Sequence, residues 1–193
     1  MTKPLSELLA AAAERSVPVV CGITDEQLGH STPCAEYDVR GLANHLFQVM
    51  VNFQALAAKR EADFSATPDY VGHGDWRAAF ERETAALVKA WAEPGAEEGT
   101  SGAMGLPAGT VGRMALDDLT VHAWDLARAT GQEYTPAPVV VAEALRSCTE
   151  LAPTGRKMGA FGEEFPLPEG GAGASDLDRL LAMTGRDPGW RRP

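Results

Sequence analysis

Asp118 and His122 form a pair of residues whose types and spacing could do chemistry. They stand four positions apart in a stretch rich in Ala, Leu and Arg, and side chains at this spacing project from the same face of an α-helix. The apolar residues Val111, Ala115 and Leu119 indicate that this face is buried. A carboxylate in an apolar interior must be neutralised, paired or bound to a metal ion. The pair could therefore hold a divalent cation, and the alternative is a simple Asp–His hydrogen bond.

His45 offers a second imidazole from an earlier helical stretch, at 38–59. It lies at one edge of a stripe of apolar residues, and Asp38 is predicted to cap the start of this helix. Together with Asp118 and His122 it would complete a site of two histidines and one carboxylate, which leaves coordination positions open for water or substrate. From spacing alone, the alternative is a histidine that only packs in the core or at the surface.

The remaining histidines and the cysteines are not expected to bind metal. His30 and His73 lie in loop-like segments, where solvent-exposed histidine is the ordinary interpretation. Cys21, Cys34 and Cys148 are too widely spaced for a CxxC metal motif or a disulfide framework, so we expect reduced thiols. The sequence places no cation beside Cys34 that would activate it, which predicts a small buried hydrophobe.

Asp125 has two interpretations that the sequence leaves open. It follows His122 by three positions and could accept a hydrogen bond from that imidazole, as carboxylates near metal-binding histidines do. It could equally form an ion pair with Arg128 on the same helix. Trp124 is expected to cover a neighbouring segment such as the C-terminal tail.

Helical periodicity dominates the chain and predicts an all-α fold. The predicted helices cover 4–16, 38–59, 75–92, 112–130, 137–151 and 175–184. We expect a four-helix bundle in which the Gly-rich segment 94–109 is a long crossover connection. One polar face of the helix at 112–130 is predicted to face water; its residues are Arg113, Asp117, Thr120 and Arg128, with Trp124 among them. Residues 1–193 are expected to form a single domain, with 153–193 a loop-rich extension packed on it.

Composition excludes several classes of function. The 193 residues carry a net charge of −10, which disfavours nucleic acid and anionic membranes as partners. No apolar run approaches the roughly 18 residues that span a bilayer, and the N-terminal segment is interrupted by charges, so we expect a cytoplasmic protein. Nucleotide-binding loops and nucleophile-elbow motifs are absent from the sequence.

Four segments carry a resemblance to a known family: TPCAEYDVRGLANHL (32–46), LDDLTVHAWDLARATGQ (116–132), FGEEFPLP (161–168) and LDRLLAMTGRDPGW (177–190). They resemble DinB/YfiT-like metalloenzymes, in the branch akin to the N-terminal domain of mycothiol-dependent maleylpyruvate isomerase. The closing GRDPGW is similar to a stand-alone metal-binding subfamily. The resemblance implies a DinB-like four-helix bundle with a divalent metal bound by a histidine of the second helix and a carboxylate-x-x-x-His pair of a later one. Those positions are His45, Asp118 and His122.

The resemblance also implies a function. We expect a metal-dependent transferase or isomerase that uses a low-molecular-weight thiol, mycothiol by the family resemblance, on a small electrophile. Zinc is the expected metal, with nickel or iron as alternatives, and the protein could pair as a homodimer. The alternatives are a non-catalytic protein that binds metal or small molecules, a metal-dependent hydrolase, and a bundle that serves only as an interaction module.

Two features set this chain apart from the isomerase. The isomerase has Glu where this chain has Asp118, and relatives commonly have Trp at the position of Tyr37. A shorter carboxylate arm could alter the metal preference. The segment 153–193 is too short and loop-rich to be the isomerase's second domain, so we do not expect maleylpyruvate isomerisation itself.

Overall fold

The computed structural model of the chain describes residues 3–103, 105–157, 159 and 161–192. These residues form an all-α fold, as predicted. Six helices follow in chain order: α1 (Leu5–Cys21), α2 (Val39–Ala57), α3 (Trp76–Ala92), α4 (Ala108–Thr130), α5 (Pro138–Lys157) and α6 (Asp176–Met183). Short 3-10 turns lie at Asp25–Gln27, Tyr70–Gly72 and Pro168–Gly171. None of the helices within the described ranges combines the length and apolar character needed to cross a membrane.

The first four helices form the bundle. Helices α1 and α2 each pack against both α3 and α4. Helices α1 and α2 therefore lie at diagonally opposite corners of the bundle, and so do α3 and α4. The α3–α4 connection must therefore cross the bundle end, and it contains a small antiparallel pair of strands, β1 (Thr100–Ser101) and β2 (Leu106–Pro107). The Ser101 hydroxyl donates to the Leu56 carbonyl, which anchors this crossover to the end of α2.

Local signals explain where the helices begin and end. Asp38 and Asp75 accept from backbone N–H groups in the first turns of α2 and α3, which satisfies donors that a helix start leaves free. Gly131 ends α4 in the left-handed conformation, at φ 72°. Two predicted ends were too early. Helix α1 continues past Pro18, because the buried Val19 and Val20 keep it packed on its neighbours. Helix α5 continues past Pro153 to Lys157, where Arg156 donates to the Met183 carbonyl of α6.

Gly112 marks a close approach of α4 to α1 and α3. A Cβ at this position would overlap the Leu5 side chain of α1 and would lie 2.8 Å from the Trp91 ring of α3. A larger residue would force the helices apart, so glycine here sets the distance between them.

Helices α5 and α6 form a second layer that covers α4. A second apolar cluster lies between the layers and includes Val121, Trp124, Val141, Cys148 and Leu180. The protein therefore has a further helical layer outside the four-helix bundle on the α4 side. This layer gives α4 two buried faces, one toward α1 and α2 and one toward α5 and α6.

The predicted water-facing side of α4 was wrong, because the second layer covers it. Asp117 and Thr120 are buried. The Ser147 hydroxyl of α5 donates to Asp117 Oδ2 at 2.7 Å, and burial raises the pKa of Asp117 well above its ordinary value. Near the start of α4, Arg113 Nε donates to Glu143 Oε1 of α5 at 2.6 Å. These polar pairs hold α5 against α4.

Candidate metal centre

The packing of α2 against α4 brings the three predicted residues together. His45 projects from α2, while Asp118 and His122 project from successive turns of α4. One potential ligand atom from each residue lies within 4.8 Å of the others. The i, i+4 spacing accounts for the Asp118 and His122 pair, and the helix contact adds His45. The group thus offers two imidazole nitrogens and one carboxylate oxygen at a single point.

His122 is held by a hydrogen bond on the side away from Asp118. Its Nδ1 lies 3.0 Å from Asp125 Oδ2, and its Nε2 lies 3.7 Å from Asp118 Oδ1. A carboxylate only accepts hydrogen bonds, so we assign the imidazole proton to Nδ1. The Nε2 lone pair is then free on the side that faces Asp118. This arrangement fixes both the tautomer and the ring orientation, as in histidines that bind metal ions.

His45 is half-buried between two aromatic rings. Tyr37 stacks on it with ring centroids 5.4 Å apart, and His122 meets it edge-on at 5.1 Å. Burial lowers the pKa of His45, and the carboxylate of Asp118 opposes that shift. The imidazole is therefore neutral near pH 7, which is the form that binds metals.

Asp118 is more exposed to solvent than His122. Its side chain is 33% exposed, whereas that of His122 is 9% exposed. A ligand can therefore approach from the Asp118 side without opening the bundle. Two imidazoles and a carboxylate suit zinc, nickel or iron and leave coordination positions open. The donor set and its solvent access fit a divalent ion that also contacts a small molecule.

The structure shows that Asp125 is hydrogen-bonded to His122 and is not paired with Arg128. It is fully buried and accepts from His122 at 3.0 Å and from Arg186 Nη2 at 3.1 Å. Arg128 does not take part. Its guanidinium lies over the Trp124 ring, 5.5 Å from the centroid, and donates to the Pro188 carbonyl. Trp124 lies in the apolar cluster that includes Leu180 of α6, and Trp190 of the C-terminal segment (residues 184–192) packs against this cluster. Trp124 is therefore covered by a neighbouring segment, as its sequence context indicated.

Cys34 lies closer to this site than its sequence context indicated. It is half-buried and packs against the core, but one ligand atom each from Cys34, His122 and Asp125 also lie within 4.8 Å of one another. Burial raises the pKa of the Cys34 thiol, and nearby Arg186 opposes the shift. A protonated thiol is a poor nucleophile, so the structure assigns Cys34 no chemical step. All three cysteines are unpaired.

His30 and His73 lie outside the site. His73 is exposed, as predicted, whereas His30 is half-buried and accepts from Arg192 Nη1 at 2.7 Å. Sequence reasoning missed Arg186, whose guanidinium comes from the C-terminal segment. No helical spacing links that segment to α4, and the resemblance of GRDPGW was the only signal there.

Comparison with known proteins gives one family match and two uncharacterised relatives. The model of the mycothiol maleylpyruvate isomerase N-terminal domain matches residues 9–127. Uncharacterised proteins from two strains of Mycobacterium tuberculosis are 30% identical to the chain over 182 residues, which cover 91% of this chain and 95% of each relative. No solved structure matches significantly.

Proposed function

Because this chain belongs to the family of the mycothiol maleylpyruvate isomerase N-terminal domain, we propose that it is a metal-dependent enzyme that acts on a low-molecular-weight thiol and a small electrophile. His45, Asp118 and His122 would hold the divalent ion. The observation that carries the proposal is the convergence of these three donors at one point, with His122 Nδ1 already occupied by Asp125. The proposed metal is zinc, and the same donors also suit nickel or iron.

A bound divalent ion favours the thiolate form of a thiol and so supplies a nucleophile near neutral pH. The protein's own residues prepare the site for this chemistry. Asp125 keeps His122 in one tautomer and one orientation, so that no rearrangement is needed on binding. Tyr37 covers one face of the His45 ring and limits its contact with water. The exposed side of Asp118 leaves a route by which a thiol and an electrophile reach the same point.

The name of the family supports mycothiol as the thiol. We propose transfer of the thiol to an electrophile, or thiol-assisted isomerisation, as the class of reaction. The region that follows the family match supplies α5, α6 and the closing segment of the chain. This region also contributes to the candidate site, because Arg186 donates to Asp125.

The first test is metal content measured by elemental mass spectrometry on untagged protein. We expect close to one divalent ion per chain in the wild type and strong loss in His45→Ala, Asp118→Ala and His122→Ala. His73→Ala is the matched control, because His73 is an exposed histidine outside the site. A wild type that stays free of metal after zinc, nickel and iron are offered under reducing conditions would overturn the metal assignment.

The second test asks whether the protein is catalytic. Mycothiol consumption is followed with a panel of small electrophiles, using wild type and Asp118→Asn that have both been supplied with zinc. In this variant an amide NH2 group replaces one carboxylate oxygen, and the metal content of each protein is measured alongside the activity. Turnover by the wild type that falls in the variant supports the enzyme. Saturable binding of mycothiol without any turnover across the panel would instead support a binding or sequestration protein.

A further inference from the structure

We propose that Arg186 is a positioning residue of the metal centre, which acts on His122 through Asp125. The inference rests on the proposed function, since it concerns how this chain prepares its own ligands. Arg186 lies beyond the residues that match the family model, which end at 127. It therefore gives the C-terminal segment a role in the site that the family match does not include.

The geometry that supports this role is a shared carboxylate oxygen. Asp125 Oδ2 accepts from His122 Nδ1 at 3.0 Å and from Arg186 Nη2 at 3.1 Å. Asp125 is fully buried, and its other oxygen has no hydrogen-bond partner among the described residues. A buried carboxylate is strongly unfavourable without a cation. Arg186 supplies that charge and so keeps the acceptor of His122 in place.

The backbone of the C-terminal segment holds Arg186 in this position. The segment turns at Gly185, where φ is 85°, and the Arg186 N–H then donates to the Leu181 carbonyl of α6 at 2.8 Å. A Cβ at Gly185 would lie 3.0 Å from the Glu163 carbonyl oxygen, so the turn is also packed against an earlier loop. The guanidinium uses a second nitrogen, Nη1, to donate to the Thr184 carbonyl at 2.7 Å.

Two further observations separate this role from general attachment of the tail. The Arg186 side chain is only 12% exposed, and its ion pair is with a residue that is itself hydrogen-bonded to a candidate ligand. Arg179 is the contrasting case, because its side chain is 48% exposed and pairs with Asp176 on the surface of α6 at 3.5 Å. Both arginines belong to the C-terminal region, but only Arg186 reaches α4 through a buried carboxylate.

The experiment is a double-mutant cycle on metal affinity at fixed pH. Co²⁺ is the probe, because its absorption spectrum reports the ligand geometry and its dissociation constant is measured by competition with a chromophoric chelator. The variants are Arg186→Gln, Arg186→Lys, Asp125→Asn and the double variant Asp125→Asn/Arg186→Gln, with Arg179→Gln as the matched control. Circular dichroism checks the helical content of each variant.

We expect Arg186→Gln to weaken Co²⁺ binding by about 10- to 100-fold and to change the Co²⁺ spectrum, as loss of a partner behind a metal ligand does. Arg186→Lys should recover part of the loss, and Arg179→Gln should match the wild type. When Asp125 is already Asn, Arg186→Gln should weaken Co²⁺ binding by less than about threefold more, since the effects of coupled residues are not additive. The double variant leaves no unpaired buried charge, so it keeps the test valid if Arg186→Gln folds poorly.

Two results would overturn the inference while the metal centre stands. One is an Arg186→Gln variant that binds Co²⁺ as tightly as the wild type. The other is an Arg186→Gln substitution that weakens Co²⁺ binding equally in the wild type and in Asp125→Asn, which would mean that Arg186 only holds the C-terminal segment in place. A wild type that binds no Co²⁺ would overturn the proposed metal centre and this inference together.

Discussion

Zinc should stabilise this fold, and the stabilisation should require the three converging residues. His45 lies on α2, and Asp118 and His122 lie on α4, so their donors meet only when these helices pack together. The unfolded chain has no preformed site, and a ligand that binds only the folded state raises the free energy of unfolding. We therefore expect an increase in the wild-type melting temperature on addition of zinc, and loss of that increase when a ligand is removed.

The expected size follows from linkage. Free zinc at about 100 times its dissociation constant raises the free energy of unfolding by about 2.7 kcal/mol. A chain of this size gains about 2–4 °C in melting temperature per kcal/mol, so the increase should be about 5–11 °C. At the same free zinc, His45→Ala, Asp118→Ala and His122→Ala should each gain less than about 2 °C, because the loss of one of three donors removes most of the affinity.

The loss of His122 has a second effect that the assay must separate. The substitution removes one of the two hydrogen bonds to the buried Asp125 and so destabilises the metal-free protein by about 1–3 kcal/mol. The measured quantity is therefore the zinc-induced increase within each variant, not the absolute melting temperature.

Differential scanning calorimetry on chelator-treated protein, with and without buffered zinc, gives this increase. His73→Ala is the control, because its exposed side chain lies outside the site, and it should gain as much as the wild type. Equal increases in the wild type and in all three ligand variants would refute the assignment. So would the absence of any increase in the wild type across zinc concentrations up to the millimolar range.

Three further predictions concern the packing of α4. Hydrogen bonds from Arg146 and Arg113 lower the pKa of Glu143. The stability that the Glu143 carboxylate contributes is therefore present above its ordinary pKa of 4.5 and is lost as the pH falls through the lowered pKa. Glu143→Gln should lower the free energy of unfolding, measured in urea, by about 1–3 kcal/mol at pH 7 and by much less near pH 3. Burial raises the pKa of Asp117, so above its ordinary pKa the unfolded chain loses a proton that the folded state keeps. Asp117→Asn should therefore raise the free energy of unfolding at pH 7 and change it little near pH 3.5. Gly112→Val should lower the free energy of unfolding by about 2–3 kcal/mol in the same assay, because α4 has no room for a side chain there.

Each of these predictions has a contrary outcome. A pH-independent loss in Glu143→Gln would mean that packing, and not charge, explains the effect. An Asp117→Asn variant that is less stable than the wild type at pH 7 would show that the buried carboxyl is stabilised by its hydrogen bonds. A stable Gly112→Val variant would show that the neighbouring Leu5 and Trp91 side chains can move aside.

The sequence alone determined the helical class, the approximate helix positions and the three residues that converge. These properties depend on local geometry, because an α-helix fixes which residues share a face whatever surrounds it. The pairing of Asp118 with His122 follows from the i, i+4 rule, and the cap at Asp38 sets the start of the helix that carries His45. The family resemblance in the same segments agreed with these positions.

Tertiary structure decided which faces are covered and which distant groups meet. One periodic pattern cannot tell solvent from a second helical layer, so the burial of Asp117 and Thr120 became visible only once α5 and α6 were placed on α4. The contact between Asp125 and Arg186 depends on the turn that places Arg186 against α4. These two residues are far apart in the sequence, so their spacing does not predict the contact. Helical faces are local consequences of backbone geometry, whereas these contacts depend on where the connections lead.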